Sequence, residues 1–396
     1  MTGAPVETRR ETLTLNLGPQ HPSTHGVLRL VLTLEGETVV DCMPDVGYLH
    51  TGMEKHMEHL KYYQAVTITD RMDYLSPMTN NLAYCMAVEQ LMGIEVPERA
   101  QVARVILCEM SRIMSHLVWL GTSAMELGAM SVFLYCFRER ETLLEAWEET
   151  TGGRITPSYI CVGGLLADLS AEFIPKLRQA LDPLPARFDD YERLLTENPI
   201  WLKRTRGIGE LTGDELISWG VTGPMLRAAG VAWDLRKSQP YSLYDQFEFD
   251  IPTGQNGDVF DRYAVRVAEM RESVRIIRQA IDVLPSGAHL SEDRRVWMPP
   301  RDRVRTDMHA MIHHFKIVEE GFSPPPGTAY QGIEGPKGEI GFLVVSDGGP
   351  RPYRCRVRPP SLMNVQVLPA MVRGRLLADV VAVLASADFV LGEVDR

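Results

Sequence analysis

The sequence predicts an α+β fold, mostly helical, with a small antiparallel sheet at each end. Three observations predict it. Apolar and polar residues alternate over 12–46; three- and four-residue apolar spacing runs from about 52 to 150 and returns at 258–283 and 303–320; alternation resumes over 328–358. At 396 residues the chain can bury a sizeable core. No linker composition separates the three regions, so 12–396 reads as one domain: an N-terminal sheet at about 12–46, a helical core at about 52–320, and C-terminal strands and a helix at about 328–396.

Each element has its own warrant. Residues 1–11 are polar, without the apolar core of a secretion signal, and read as a short tail. Leu13, Leu15 and Leu17, then Leu28, Leu30, Leu32 and Leu34, mark the first strands, with Glu35-Gly36 as a reversal. Between them, 18–26 holds two prolines and two glycines, which prevent a helix and leave a loop whose polar side chains, His21 and His25 among them, are available for chemistry. Helices are predicted at 76–92, at 97–127 with Pro97 suited to the first turn, and at 131–149. A Pro- and Gly-rich middle, 152–257, mixes short helices with irregular connections. Amphipathic helices follow at 258–283 and 303–320, then strands punctuated by Gly335-Pro-Lys-Gly338 and Asp347-Gly-Gly-Pro350, and a last helix around 376–385.

Residues 113–137 carry Glu126 as their only formal charge, a length that raises the question of a membrane span. Gly121 and Gly128 interrupt the stretch, and His116 and Glu126 suit lipid poorly, so it reads as buried helix, with any membrane association made through a partner. The balance of 41 basic to 52 acidic residues, net −11, argues against a nucleic-acid binder. The six cysteines are never closer than the 23 residues between Cys85 and Cys108, so no C-x-x-C pair holds zinc or an iron–sulfur cluster; they read as isolated core thiols of a reducing compartment. Pro22 denies His21 and His25 a helical zinc arrangement, and the pairs His56/His59 and His309/His313 lack a third ligand nearby. Gly207-Ile-Gly209 misses the dinucleotide fingerprint by one glycine and a preceding strand.

On the helix around 97–127, Glu109, Arg112, His116, Ser123 and Glu126 fall within about a third of the circumference. Two readings stand equal on the residues alone: a buried seam of paired charges, or a line of titratable groups near a site of proton uptake.

Several longer strings carry a resemblance: GPQHPSTHGVLRL at 18–30, GYLHTGMEK at 47–55, RMDYLSPM at 71–78, FRERE at 137–141, GDVFDRYAVRVAEMRES at 257–273, SDGGPRPYRCRVRPPS at 346–361 and GEVDR at 392–396. Together, in this order, they resemble the D subunit of the proton-pumping NADH-quinone oxidoreductase, complex I. That family is related to the large subunit of nickel–iron hydrogenases, so the resemblance implies a hydrogenase-like fold: a central helical bundle with small sheets from the terminal segments. The hydrogenase thiolate positions fall on Asp73 and Ser76, and on Val390 and Glu393. All four thiolates are absent, which excludes hydrogenase chemistry, since soft sulfur donors hold that metal.

What the resemblance implies instead is the headgroup end of a quinone cavity, with no metal or redox cofactor bound by this chain. The electrons would come from a 4Fe-4S cluster in the iron–sulfur (B) subunit; the C subunit and the membrane-embedded H subunit would be further partners, and the chain would sit on the cytoplasmic face of the inner (plasma) membrane. His25 and Tyr74 would flank the headgroup, with Met78 and Val390 beside it and Glu126 paired with His25; Arg112, His116 and Glu126 are proton-relay candidates. Quinone reduction needs hydrogen-bond donors as negative charge arrives, a role an imidazole and a phenol can fill. The sequence departs from the family in four places. Glu126 replaces an aspartate, one methylene shorter; Thr156 stands for a histidine and Cys161 for an arginine, so no tuning of the neighbouring cluster is carried over through them; Thr51 stands where some relatives have arginine. The competing readings are a scaffold that docks the cluster subunit to the membrane arm, and a hydrogenase-like subunit of a related complex with another electron donor.

Overall fold

The computed structural model describes residues 11–21, 23 and 26–396. His25 therefore lies outside the described residues, as does the tail but for Glu11.

The leucine alternation builds a three-stranded antiparallel sheet, β1 (Thr12–Leu17), β2 (Arg29–Glu35) and β3 (Thr38–Asp45), in the order β1-β2-β3. Pairing Leu15 with Leu32 and Leu17 with Leu30 puts the leucines on one face. Leu28, Leu30, Leu32 and Leu34 on that face are buried. They share a core with Val380, Val383 and Leu384 of the helix at Leu377–Ala387, so the two ends of the chain are packed together.

The larger core is helical. Helices α1 (Pro77–Met92), α2 (Glu98–Glu126), α3 (Met130–Thr151) and α4 (Val259–Val283) supply most of it, and α5 (Leu377–Ala387) closes the cluster shared with the N-terminal sheet. Pro77 starts α1 at a position where no intrahelical N–H is needed, and Gly93 ends it at φ 63°. In α2 the helix runs through Gly121, as the predicted span 97–127 requires. The reason for glycine there is lateral: an added Cβ would lie 3.3 Å from the Phe133 Cα of α3. Gly128, at φ 95°, follows the end of α2 and turns the chain into α3. No described helix is long and apolar enough to cross a membrane.

The C-terminal strands are β4 (Gly327–Gly335), β5 (Gly338–Ser346) and β6 (Arg354–Arg358), again antiparallel and in sequential order. Their sheet packs on α1. The helix expected at 303–320 is two helices, Arg301–Thr306 and Met308–Glu319. Asp307 divides them by leaving helical geometry and accepting the His309 N–H on its carboxylate at 2.9 Å. A short helix, Pro199–Thr205, precedes Gly207 where a dinucleotide site would need a strand.

Candidate functional site

Three distant segments converge on one cavity of about 220 Å³. The last turns of α2 form its floor with Val118, Trp119, Thr122, Met125 and Glu126; Tyr74 and Leu75 form one wall; Asp388, Phe389 and Val390 form another. Tyr74, Glu126 and Val390, chosen from the sequence, are thus brought together. Met78 is not: it is fully buried in the first turn of α1 and packs into the helical core.

The walls meet because both turns are locally specified. Asp73 accepts the Leu75 N–H at 3.1 Å, tightening the turn that presents Tyr74. Gly392 lies against this turn so closely that a Cβ would stand 2.5 Å from the Met72 carbonyl oxygen and 2.6 Å from that of Arg71. Beyond it, the Asp395 carboxylate accepts the N–H groups of Gly47 and Leu49 at 2.8 and 2.7 Å, and Arg396 donates to Glu54 at 3.1 Å. The segments 47–55, 71–78 and 392–396, far apart in sequence, are therefore one structural unit.

The four positions assigned to lost thiolates are all buried. Asp73 accepts from the Lys337 ammonium at 2.9 Å, and Lys337 also donates to the Ser115 hydroxyl at 2.9 Å. The Ser76 hydroxyl pairs with that of Thr79, Val390 donates its N–H to the Ser361 hydroxyl at 3.1 Å, and Glu393 accepts the Ser361 N–H at 3.0 Å. Burial, reinforced by nearby Asp73, pushes the Glu393 carboxyl up to about 8 against the opposing pull of Lys337 and Ser361. Among the described residues, no group of three or more His, Cys, Asp and Glu is placed to hold a metal ion.

Glu126 stands apart from the rest of its stripe. Burial alone raises its carboxyl to about 7, and Oε2 has no hydrogen-bond partner among the described residues. Burial likewise raises the Tyr74 phenol, helped by the charge of Asp73. Tyr74 keeps 38% of its surface exposed, so its hydroxyl can be reached. Trp119 gives the cavity a fixed aromatic floor: its indole N–H donates to the Ala385 carbonyl at 2.7 Å, and the Arg266 guanidinium lies 4.3 Å from its ring centre. Arg266 is also 3.6 Å from Asp388.

The other members of the stripe belong to a separate network. Arg112 donates to the carbonyls of Glu334 and Gly335 at 2.7 and 2.9 Å and pairs with Glu109. Glu109 also accepts from Arg236, Tyr244 and Ser273; burial opposes its charge, but Arg112 and Arg236 outweigh it and hold the carboxyl down at about 2. The fully buried His116 has its pKa lowered by desolvation and bonds Glu269 through Nε2 at 3.1 Å. Arg227 joins Glu269 to Glu334. Ser123 donates to the Ala385 carbonyl at 3.3 Å. Of the stripe, only Glu126 lines the cavity; Glu109 and Arg112 form the buried charge seam that was one of the two sequence readings.

Two residues escaped sequence reading. Lys337 sits in a Gly-Pro-Lys-Gly turn that read only as punctuation, and Asp388 was given no role. Nothing local signals that a turn lysine is buried.

The family described as respiratory-chain NADH dehydrogenase, 49 Kd subunit, matches residues 126–396. The chain belongs to that family. It is 52% identical to the NADH-quinone oxidoreductase D subunit of Geotalea uraniireducens, over 98% of this chain and 99% of the relative. It is 55% identical to the D 2 subunit of Chloroflexus aurantiacus, over 99% and 96%, and 56% identical to the D 2 subunit of Roseiflexus sp., over 98% and 94%.

Proposed function

We propose that this chain is the peripheral-arm subunit of a proton-pumping NADH-quinone oxidoreductase and that its cavity receives the quinone headgroup. Family membership supports the first part. The observation that carries the second is the convergence of Tyr74, Glu126 and Val390 on a single partly open cavity. At about 220 Å³ it is smaller than the roughly 300–1,000 Å³ usual for drug-sized ligands, a size suited to a flat ring rather than to a whole long-tailed molecule.

Quinone takes up two electrons and two protons to become quinol. Electrons reach it from NADH through the iron–sulfur (B) subunit, whose 4Fe-4S cluster would be the immediate donor; this chain supplies no cofactor. Its residues instead handle position and protons. The Tyr74 hydroxyl donates a hydrogen bond to a quinone oxygen as negative charge grows there. Glu126, with its carboxyl near 7, holds a proton at neutral pH and can release it, as a general acid requires. His25 completes the donor set in this reading, paired with Glu126. Trp119, with Arg266 against its ring, completes the floor beneath the ring of the quinone. Arg112 ties α2 to the end of β4 and His116 ties it to α4, so the relay role narrows to Glu126. The C and H subunits are the further partners, and attachment to the cytoplasmic face of the inner (plasma) membrane is made through partner subunits.

The test is Tyr74→Phe in the assembled complex. The variant should assemble and oxidise NADH with an artificial acceptor normally, while quinone reduction falls by at least about tenfold. Undiminished quinone turnover would remove Tyr74 from the site.

A further inference from the structure

We infer that Lys337 is a positioning residue for quinone reduction: its buried ammonium, fixed behind the turn that carries Tyr74, stabilises negative charge on the headgroup until protons arrive. The inference rests on the cavity being the quinone site.

A lysine at the tip of a β-turn ordinarily projects into water. Here the β4–β5 turn points inward and is clamped there. Gly338, at φ 134°, packs so closely that a Cβ would lie 2.6 Å from the Thr222 hydroxyl oxygen; at Gly223 one would lie 2.4 Å from the Gly338 Cα. Only 1% of Lys337 is exposed. Its ammonium donates to Asp73 and Ser115, both at 2.9 Å, and so joins the 71–76 turn to the middle of α2. Desolvation disfavours its charge, but Asp73, Asp388 and Glu393 outweigh that and keep it protonated.

Asp73, which holds this ammonium, immediately precedes the tyrosine that lines the cavity, and Asp388, which also feels its charge, forms part of the opposite wall. Held against Asp73 in a buried site, the ammonium belongs to a weakly screened, fixed ion pair whose field needs no reorganisation when charge arrives nearby. The step it assists is quinone + 2 electrons + 2 protons → quinol, the electrons supplied by NADH oxidation in the complex. Lys337 neither gives nor takes a proton. Its effect should fall on kcat rather than on KM, because the charge it stabilises exists only during reduction.

Lys337→Met, Lys337→Arg and the double variant Asp73→Asn/Lys337→Met should be compared in membranes carrying the assembled complex, with Tyr74→Phe alongside. We expect Lys337→Met to keep NADH oxidation with an artificial acceptor and a near-normal KM for a short-chain quinone, while kcat falls on the order of tenfold. Lys337→Arg should restore much of the loss, and the double variant, which leaves no unpaired buried charge, should stay slow. Normal kcat in Lys337→Met or in the double variant would overturn the inference. So would an arginine variant as slow as the methionine one, or failure of all three to assemble, since either outcome assigns the pair to the fold. If Tyr74→Phe is impaired and Lys337→Met is not, only the lysine's role falls; if neither is impaired, the quinone reading of the cavity falls with it.

Discussion

Replacing Glu126 by glutamine removes one proton-binding group from the cavity while keeping the shape of the side chain. Burial lifts this carboxyl from 4.5 to about 7, so the fold favours its neutral form. The stability this contributes is whole below about pH 4.5, where the unfolded chain also holds the proton, and is lost as pH rises through about 7. Each tenfold change in proton affinity is worth about 1.4 kcal/mol, which sets a ceiling of about 3 kcal/mol. Most of the remaining loss falls between about pH 5.5 and 8.5, and solvent reaching the partly exposed group reduces it to about 1–2 kcal/mol. Denaturant unfolding of the subunit at those two pH values, wild type against Glu126→Gln, isolates the term, because Glu393 and every other carboxyl titrate alike in both. The variant should be the more stable of the two at the higher pH by that amount, and in the assembled complex its quinone reduction should lose the inflection near pH 7. Equal pH dependence in the two proteins would show that Glu126 is solvated and ordinary.

Other perturbations probe the framework. Gly392→Ala sets a Cβ 2.5 Å from the Met72 carbonyl oxygen, so the C-terminal turn must lift from the Tyr74 turn; a loss of at least about 2 kcal/mol is expected in thermal unfolding, with reduced quinone turnover. Arg227→Met strips the shared partner from Glu269 and Glu334 in a fully buried network, which should cost about 3–5 kcal/mol and appear as poor assembly on native gels. Near-normal stability in either variant would mean that these contacts are not maintained in solution.

Much of this arrangement is legible in the sequence, for identifiable reasons. The leucine alternation of β1 and β2 and the apolar spacing of α1 to α4 give their elements within a residue or two, because a strand or helix face buried on one side leaves its period in the sequence. The helix break at Asp307 went unseen because a single Asx cap can interrupt an otherwise continuous apolar pattern. The reason for Gly121 was not legible, because the close approach of α3 that it admits is a tertiary contact that leaves no local pattern.

At the site, Tyr74, Glu126 and Val390 came from motif resemblance, and their convergence depends on contacts between residues hundreds of positions apart, which no local pattern records. The stripe on α2 shows the limit most clearly. One helical face lines up Glu109, Arg112, His116 and Glu126, but 17 residues of helix span about 25 Å, and the face meets different neighbours along that length. Arginines and a tyrosine surround Glu109, whereas Glu126 reaches the open cavity.

The central claim is that a quinone headgroup sits between the Tyr74 turn and the end of α2. Photolabelling of the intact complex with a ring-substituted photoreactive quinone, followed by peptide mass spectrometry, tests it most directly. Label should fall on the 71–78, 118–126 and 388–390 segments and be displaced by excess unmodified quinone; label confined to other subunits, or to the exposed outer helices of this one, would contradict it.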